Sequence, residues 1–231
     1  MKSYQNAVRV VFAAAGLALI TLNAHAEGPD VSFSLTGATE YVWRGVTQSD
    51  ENPAIFAAAT VRQNGFYAGA GAENVDFLGI DTEYDLWAGW AGEVTPGISL
   101  DVGLVRYGYL DAPSGLDLDT VEVKAAVSTS FDKLAVGAAV HYTDDYFATE
   151  ESATYVEVNA SMPLTDKWSL SGAVARQILE DDSRSYTTWN AGVGYAVAEN
   201  VTLGIRYHDT DEDFLGSAGD GRVVLSFSVA L

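Results

Sequence analysis

The chain has 231 residues, of which 12 are basic and 32 acidic, for a formal net charge of −20, and it contains no cysteine. That balance repels nucleic acid phosphates and attracts cations, which argues against a nucleic-acid partner, and it leaves the fold to be held without disulfides. Although 48% of the residues are hydrophobic, no stretch after residue 26 approaches the roughly 18 uncharged apolar residues of a membrane helix.

The chain opens MKSYQNAVR, with Lys2 and Arg9, continues through the apolar run Val10 to Leu22, and reaches Ala24-His25-Ala26. This is the order of a secretory signal peptide, and Glu27, Gly28 and Pro29 follow too soon for a retained spanning helix. Cleavage after Ala26 is expected to leave residues 27–231 as one β domain. Losing two basic residues and no acidic one deepens the charge from −20 to −22.

From Val31 the pattern has period two. Val31, Phe33, Leu35, Gly37, Thr39, Tyr41 and Trp43 fall on one face, and Ser32, Ser34, Thr36, Ala38, Glu40, Val42 and Arg44 on the other, predicting a strand over 31–44. Eleven further segments alternate in the same way, at 54–62, 66–77, 82–93, 98–109, 119–130, 134–143, 153–164, 168–179, 186–197, 201–211 and 222–231. Only Arg106 and Arg176 place a charge on the apolar phase.

Connection lengths indicate how the segments are joined. The short links QNG (63–65), EVTPG (93–97), FDK (131–133), LTDK (164–167) and AEN (198–200) alternate with longer polar ones. The long ones are GVTQSDENP (45–53), DFLGID (76–81), LDAPSGLDLD (110–119), DDYFATEES (144–152), EDDSRSY (180–186) and the segment from Asp209 to Gly221. Short turns at one end, long loops at the other and an even strand count predict an all-β, twelve-stranded antiparallel up-and-down transmembrane β-barrel behind the signal peptide. A Greek-key sandwich does not sort its connections this way.

Aromatic placement supports the same reading. The outward phase offers Tyr41, Trp43, Tyr84, Tyr142, Trp189 and Tyr207 at the long-loop end, and Phe33, Phe66, Trp90, Phe131, Trp168 and Tyr195 at the short-turn end. Ala70, Ala88, Val102, Val123, Ala138, Val158, Val193 and Ile205 lie between them. Two aromatic girdles around an apolar band are what a lipid-facing wall requires. Tyr41 and Trp43 are therefore expected to face the lipid interface while Glu40 and Arg44 face a wet lumen. The terminal RVVLSFSVAL alternates to its end, as a closing strand read by barrel-assembly machinery would, although it finishes on Leu231 rather than an aromatic residue.

The run EYVWRGVTQSDENPAI, followed by GFYAGAGAENVDF, EYDLWAGWAGE, LDVGLVRYGY, YTDDYF and RVVLSFSVAL, resembles the TorF-type porin family of proteobacterial exported proteins over nearly the whole mature chain. The resemblance implies an outer-membrane β-barrel of a Gram-negative bacterium and brings no catalytic residues with it.

The inward phase collects Arg44, Arg62, Lys124, Arg206 and Arg222 against Glu40, Glu73, Glu83, Asp85, Asp101, Glu122 and Glu157. Ions in a lumen must face water or one another, so either a salt-bridge lattice fills the interior or a water-filled passage runs through it. Small inward residues, among them Gly69, Gly71, Gly89, Gly103, Gly194, Gly204, Ala58 and Ser171, favour open space. That space could also receive an inward-folded loop such as Leu110 to Asp119. At the loop end Asp144, Asp145, Asp181, Asp182, Asp209, Asp211 and Asp213 form an acidic funnel whose field would concentrate small cations, unless these acids only solvate the surface. DTDEDF (209–214) spaces carboxylates like the start of a calcium loop, but Phe214 stands where that loop needs glycine, so no metal or other cofactor is expected. His141 and His208 lie on the inward phase outside any catalytic motif, whereas a lipid-cleaving site would sit on the outer wall. The expected function is a porin passing small hydrophilic solutes or cations, with outer-membrane lipids and the assembly machinery as partners. The alternative is a non-conducting receptor, adhesin or scaffold acting through its acidic loops.

Overall fold

The computed structural model describes residues 28–231, so the expected signal peptide lies outside the described residues. Twelve strands close into a barrel: β1 (Asp30–Ala38), β4 (Ala54–Gln63), β5 (Phe66–Phe77), β6 (Ile80–Thr95), β7 (Ile98–Tyr109), β8 (Thr120–Phe131), β9 (Leu134–Thr143), β10 (Ala153–Pro163), β11 (Trp168–Leu179), β12 (Tyr186–Ala198), β13 (Val201–Thr210) and β14 (Arg222–Ala230). Each pairs antiparallel with its sequence neighbours, and β1 closes the ring between β4 and β14. Two short strands, β2 (Val42–Trp43) and β3 (Val46–Thr47), form a separate hairpin. Closure leaves none of the twelve barrel strands with an unpaired edge among the described residues, which is what a sheet in hydrocarbon needs.

The alternation maps onto two surfaces. Val123, Val158, Leu225 and Ile205 stand exposed on the outside, with Phe33, Phe66, Phe131 and Trp168 exposed towards the short-turn end and Tyr142 and Tyr207 towards the long-loop end. Glu73, Asp101, Glu122, Ser161, Ser228 and other polar inward residues are buried. Arg106 and Arg176 are accommodated where strands give way to loops: Arg106 pairs with Asp119, and Arg176 lies 3.1 Å from the Thr187 hydroxyl and 3.8 Å from Asp211.

Two boundaries differ from expectation. DFLGID is not a long loop, because β5 runs to Phe77 and β6 begins at Ile80. Leu78 and Gly79, with φ of 54° and 80°, make a two-residue turn whose twist matches the strands it joins. The first strand stops at Ala38 instead of 44, and the chain from 39 to 53 leaves the wall.

Candidate functional site, a hairpin across the barrel mouth

Tyr41, Val42 and Trp43 are consecutive and all buried, at 2%, 4% and 8% exposure. A wall strand would expose every second residue, so this segment has turned into the lumen. The turn between β2 and β3 is made by Arg44 and Gly45, with φ of 49° and 87°. The Gln48 amide donates to the Tyr41 carbonyl at 2.8 Å, while the Ser49 hydroxyl accepts from the Tyr41 amide at 2.9 Å and donates to the Asn52 carbonyl at 2.7 Å. At the base, the Asp76 amide donates to the Gln48 carbonyl at 2.7 Å, tying the hairpin to the end of β5.

The far contacts show that the hairpin crosses the opening. In the ring of strands β1 lies opposite β9, and Arg44 reaches β8 and β11 on either side of that point. Its guanidinium donates to Glu122 at 2.6 Å and to the Gln177 side-chain oxygen at 3.0 Å, and it lies between the rings of Trp43 and Tyr155 at 4.1 and 4.2 Å. Glu122 is also 3.1 Å from His141 Nδ1 and accepts from the Tyr107 hydroxyl at 3.3 Å. The Tyr41 hydroxyl donates to Glu83 at 3.2 Å, and its ring meets Phe56 edge-on at 4.9 Å. Trp43 packs on Tyr107, Tyr146 and Phe147, and Gly45 lies so close to β12 that an added Cβ would be 2.3 Å from Thr188 Oγ1. Phe56, Glu83, Tyr107, Glu122, Tyr155, Gln177 and Thr188 all lie near the long-loop ends of their strands, and Tyr146 and Phe147 belong to the loop between β9 and β10, so the hairpin is a lid at that mouth.

Tyr41 and Trp43 are thus inward residues of this lid and not members of a lipid-facing girdle. Three successive apolar residues cannot share one face of a strand, and Val42, forced onto the polar phase by a 31–44 strand, is the sign of it. The expected inward loop 110–119 plays only a flanking part, with Leu116 and Leu118 packed against the cluster that the hairpin rings complete.

Behind the lid the lumen is asymmetric. On the β5–β8 side Gly69 and Gly89 do not leave space. An added Cβ at Gly69 would lie 2.4 Å from the Trp87 ring, and at Gly89 it would lie 2.4 Å from the Tyr67 hydroxyl, so these positions seat the rings. Tyr67 and Lys124 both hold Asp101, at 2.6 and 2.7 Å, and Arg62 lies over the Tyr67 ring at 5.3 Å. A cavity of about 310 Å³ lies towards β1 and β11–β14, with Glu73 of β5 and Asp85 and Trp87 of β6 on its border; it runs from Glu40, Tyr41 and Val42 to Thr165, Asp166 and Lys167 in the turn between β10 and β11, lined by hydroxyls of Ser34, Thr36, Ser169, Ser171, Ser226 and Ser228. The lumen is part lattice and part space.

The charges of the inward phase occupy distinct settings. Glu40 pairs with Arg222, and Arg206 donates to Asn190 and Ser171. Glu157 accepts from Tyr155 at 3.0 Å and Asn159 at 2.9 Å. Glu73, Glu83 and Asp85 converge with carboxylate oxygens within 4.8 Å of one another, a grouping sequence spacing did not single out; the register that sets Glu73 opposite Glu83 creates it. Of the acidic funnel, Asp144, Asp145, Asp181, Asp182, Asp211 and Asp213 are exposed in the long loops, and Asp209 is half-buried. Asp209 accepts from the Tyr207 hydroxyl at 2.7 Å and Asp211 from the Thr187 amide at 2.6 Å, so the calcium-like spacing is spent on separate partners. Hydrogen bonds to Asp211 hold its carboxyl below the usual range, against the opposing effect of partial burial. His208 is buried and faces the cavity.

A family model matches residues 23–226, which takes in almost the entire barrel. The chain belongs to the Gcw_chp family, bacterial proteins of unknown function. No match to a curated protein emerges from sequence comparison. Among solved structures, this Gcw_chp protein is similar to a KdgM porin, at 9% identity and a TM-score of 0.61, with 86% of this chain and 97% of that one covered. It is also similar to a NanC porin, at 11% identity and 0.58, covering 86% and 97%. An outer membrane channel from Pseudomonas putida F1 matches at 9% identity and 0.53, covering 90% and 97%. At such identities the likeness speaks to the fold.

Proposed function

We propose that the protein is an outer-membrane porin, exported with loss of residues 1–26 and inserted by the barrel-assembly machinery, as the resemblance to TorF-type porins implies. It passes small hydrophilic solutes with a weak preference for cations and carries no catalytic step. The observation that carries the reading is a cavity of about 310 Å³ running along a closed barrel that is apolar outside and hydroxyl-lined within. A KdgM porin structure contains disordered oligogalacturonate. The exposed aspartates at this mouth argue for another class of solute, because their field raises the local concentration of cations.

Purified protein in a planar bilayer under a potassium chloride gradient should give a reversal potential of cationic sign. Replacing Asp144, Asp145, Asp181 and Asp182 by Asn should move that potential towards zero, most clearly at low salt, where screening is weak. An anionic reversal potential would overturn the preference. Inserted, folded protein that never conducts would favour the receptor or scaffold alternative.

A further inference from the structure

We propose that the 39–53 hairpin is a gate: a lid that lifts as a unit about its base and connects the long-loop mouth to the cavity, with Arg44 as its latch. This rests on the porin reading only for what the gate controls. The hairpin stands apart from the barrel ladder. Beyond Thr39, whose amide still donates to the Leu225 carbonyl of β14 at 2.9 Å and marks the hinge, its backbone bonds close on itself, from Gln48 to Tyr41 and from Asn52 to Ser49, and its base is tied through Asp76. Lifting it therefore leaves the strand pairing of the wall intact.

What holds the tip is side-chain chemistry that water can replace. Arg44 and Glu122, with side chains 5% and 2% exposed, form a dry ion pair, and a dry pair returns much of its attraction as desolvation cost. Opening hydrates both ions, so the lid is held by far less than the bare attraction. Gln177 is fully buried, and its Nε2 finds no hydrogen-bond partner among the described residues, a group that also gains from hydration. The same segment also carries backbone strain. Arg44 at the tip and Asp50 and Glu51 at the base have φ of 49°, 48° and 64°, conformations that side-chain-bearing residues adopt at a cost. Against these stand Trp43 on Tyr107 and Phe147, and Tyr41 on Phe56, which favour the closed lid. Two competing sets of contacts, one apolar and one hydratable, make a two-state element.

Thr188 is 4% exposed and lies directly under Gly45, and the chain has no native cysteine, so Thr188→Cys places a single thiol beneath the lid. In detergent or vesicles, a charged maleimide should label this thiol slowly, and adding Arg44→Ala should speed labelling at least tenfold, with Arg44→Lys intermediate because an ammonium cannot fork between Glu122 and Gln177. Folding of each variant is verified by heat-modifiable gel mobility. In channels that conduct, Arg44→Ala should also lengthen the single-channel open time several-fold over the native protein. Equal labelling rates with and without Arg44 overturn the gate whether or not the protein conducts. Faster labelling in a protein that never conducts leaves the gate standing and removes the porin reading. Open time unchanged by Arg44→Ala in channels that conduct overturns the gate.

Discussion

Val158→Arg should destabilise the folded barrel by about 2–4 kcal/mol, the cost of an arginine at the midplane of a lipid-facing wall. Val158 is 62% exposed and sits midway along β10, flanked in register by Ala138 and Val174. If hydrocarbon bathes that face, the guanidinium must bend several residues to reach a headgroup or drag water with it. The neighbouring Asn159 points the other way, with its amide donating to Glu157 at 2.9 Å in the lumen. Asn159→Arg should cost clearly less, because its guanidinium would lie beside the Glu157 carboxylate in the lumen. Denaturant titration of refolding into phospholipid vesicles, read by gel mobility, compares the two. Equal losses would mean that both faces meet the same medium, and the transmembrane assignment would fail.

That contrast explains why the fold is legible in the sequence. In a barrel between two solvents the pleat forces every second residue into each medium, so the twelve segments announce themselves and the boundaries of all but the first hold to within two residues. The failures have local causes. The 76–81 connection looks long because Leu78 is not a typical residue for a turn with positive φ, and polar neighbours hide how far β5 and β6 extend. Gly69 and Gly89 look like open wall until the register sets them directly opposite Trp87 and Tyr67, whose rings then cover them, a pairing that composition alone does not reveal. The lid was the largest omission: Tyr41 and Trp43 keep strand phase with β1, and only the apolar Val42 between them and the Arg44-Gly45 turn mark a departure from the wall. Sites built by long-range register, such as Glu73 against Glu83, have no counterpart in spacing along the chain.

Glu73→Gln should stabilise the protein and weaken its cation preference together. Glu73 and Glu83 are directly opposed across β5 and β6, where like charges destabilise a sheet, and Asp85 completes a group whose oxygens lie within 4.8 Å. Two unit charges at that separation would repel by roughly 3 kcal/mol at an effective dielectric of 20, and carboxyls crowded in this way relieve part of it by sharing a proton, so removing one should raise the unfolding free energy by less than that amount. Most substitutions of a buried polar residue do the reverse. Glu73 and Asp85 also face the cavity, just behind the lid and on the route a solute would take, so the carboxylate that costs stability is one that draws cations inward. Denaturant midpoint and reversal potential measured on the same variant test both halves. A rise in stability with loss of cation preference fits a group kept for transport against its own repulsion. A fall in stability would mean that the carboxylates are held together by a shared cation or proton that the amide displaces, making the cluster a structural element of the wall.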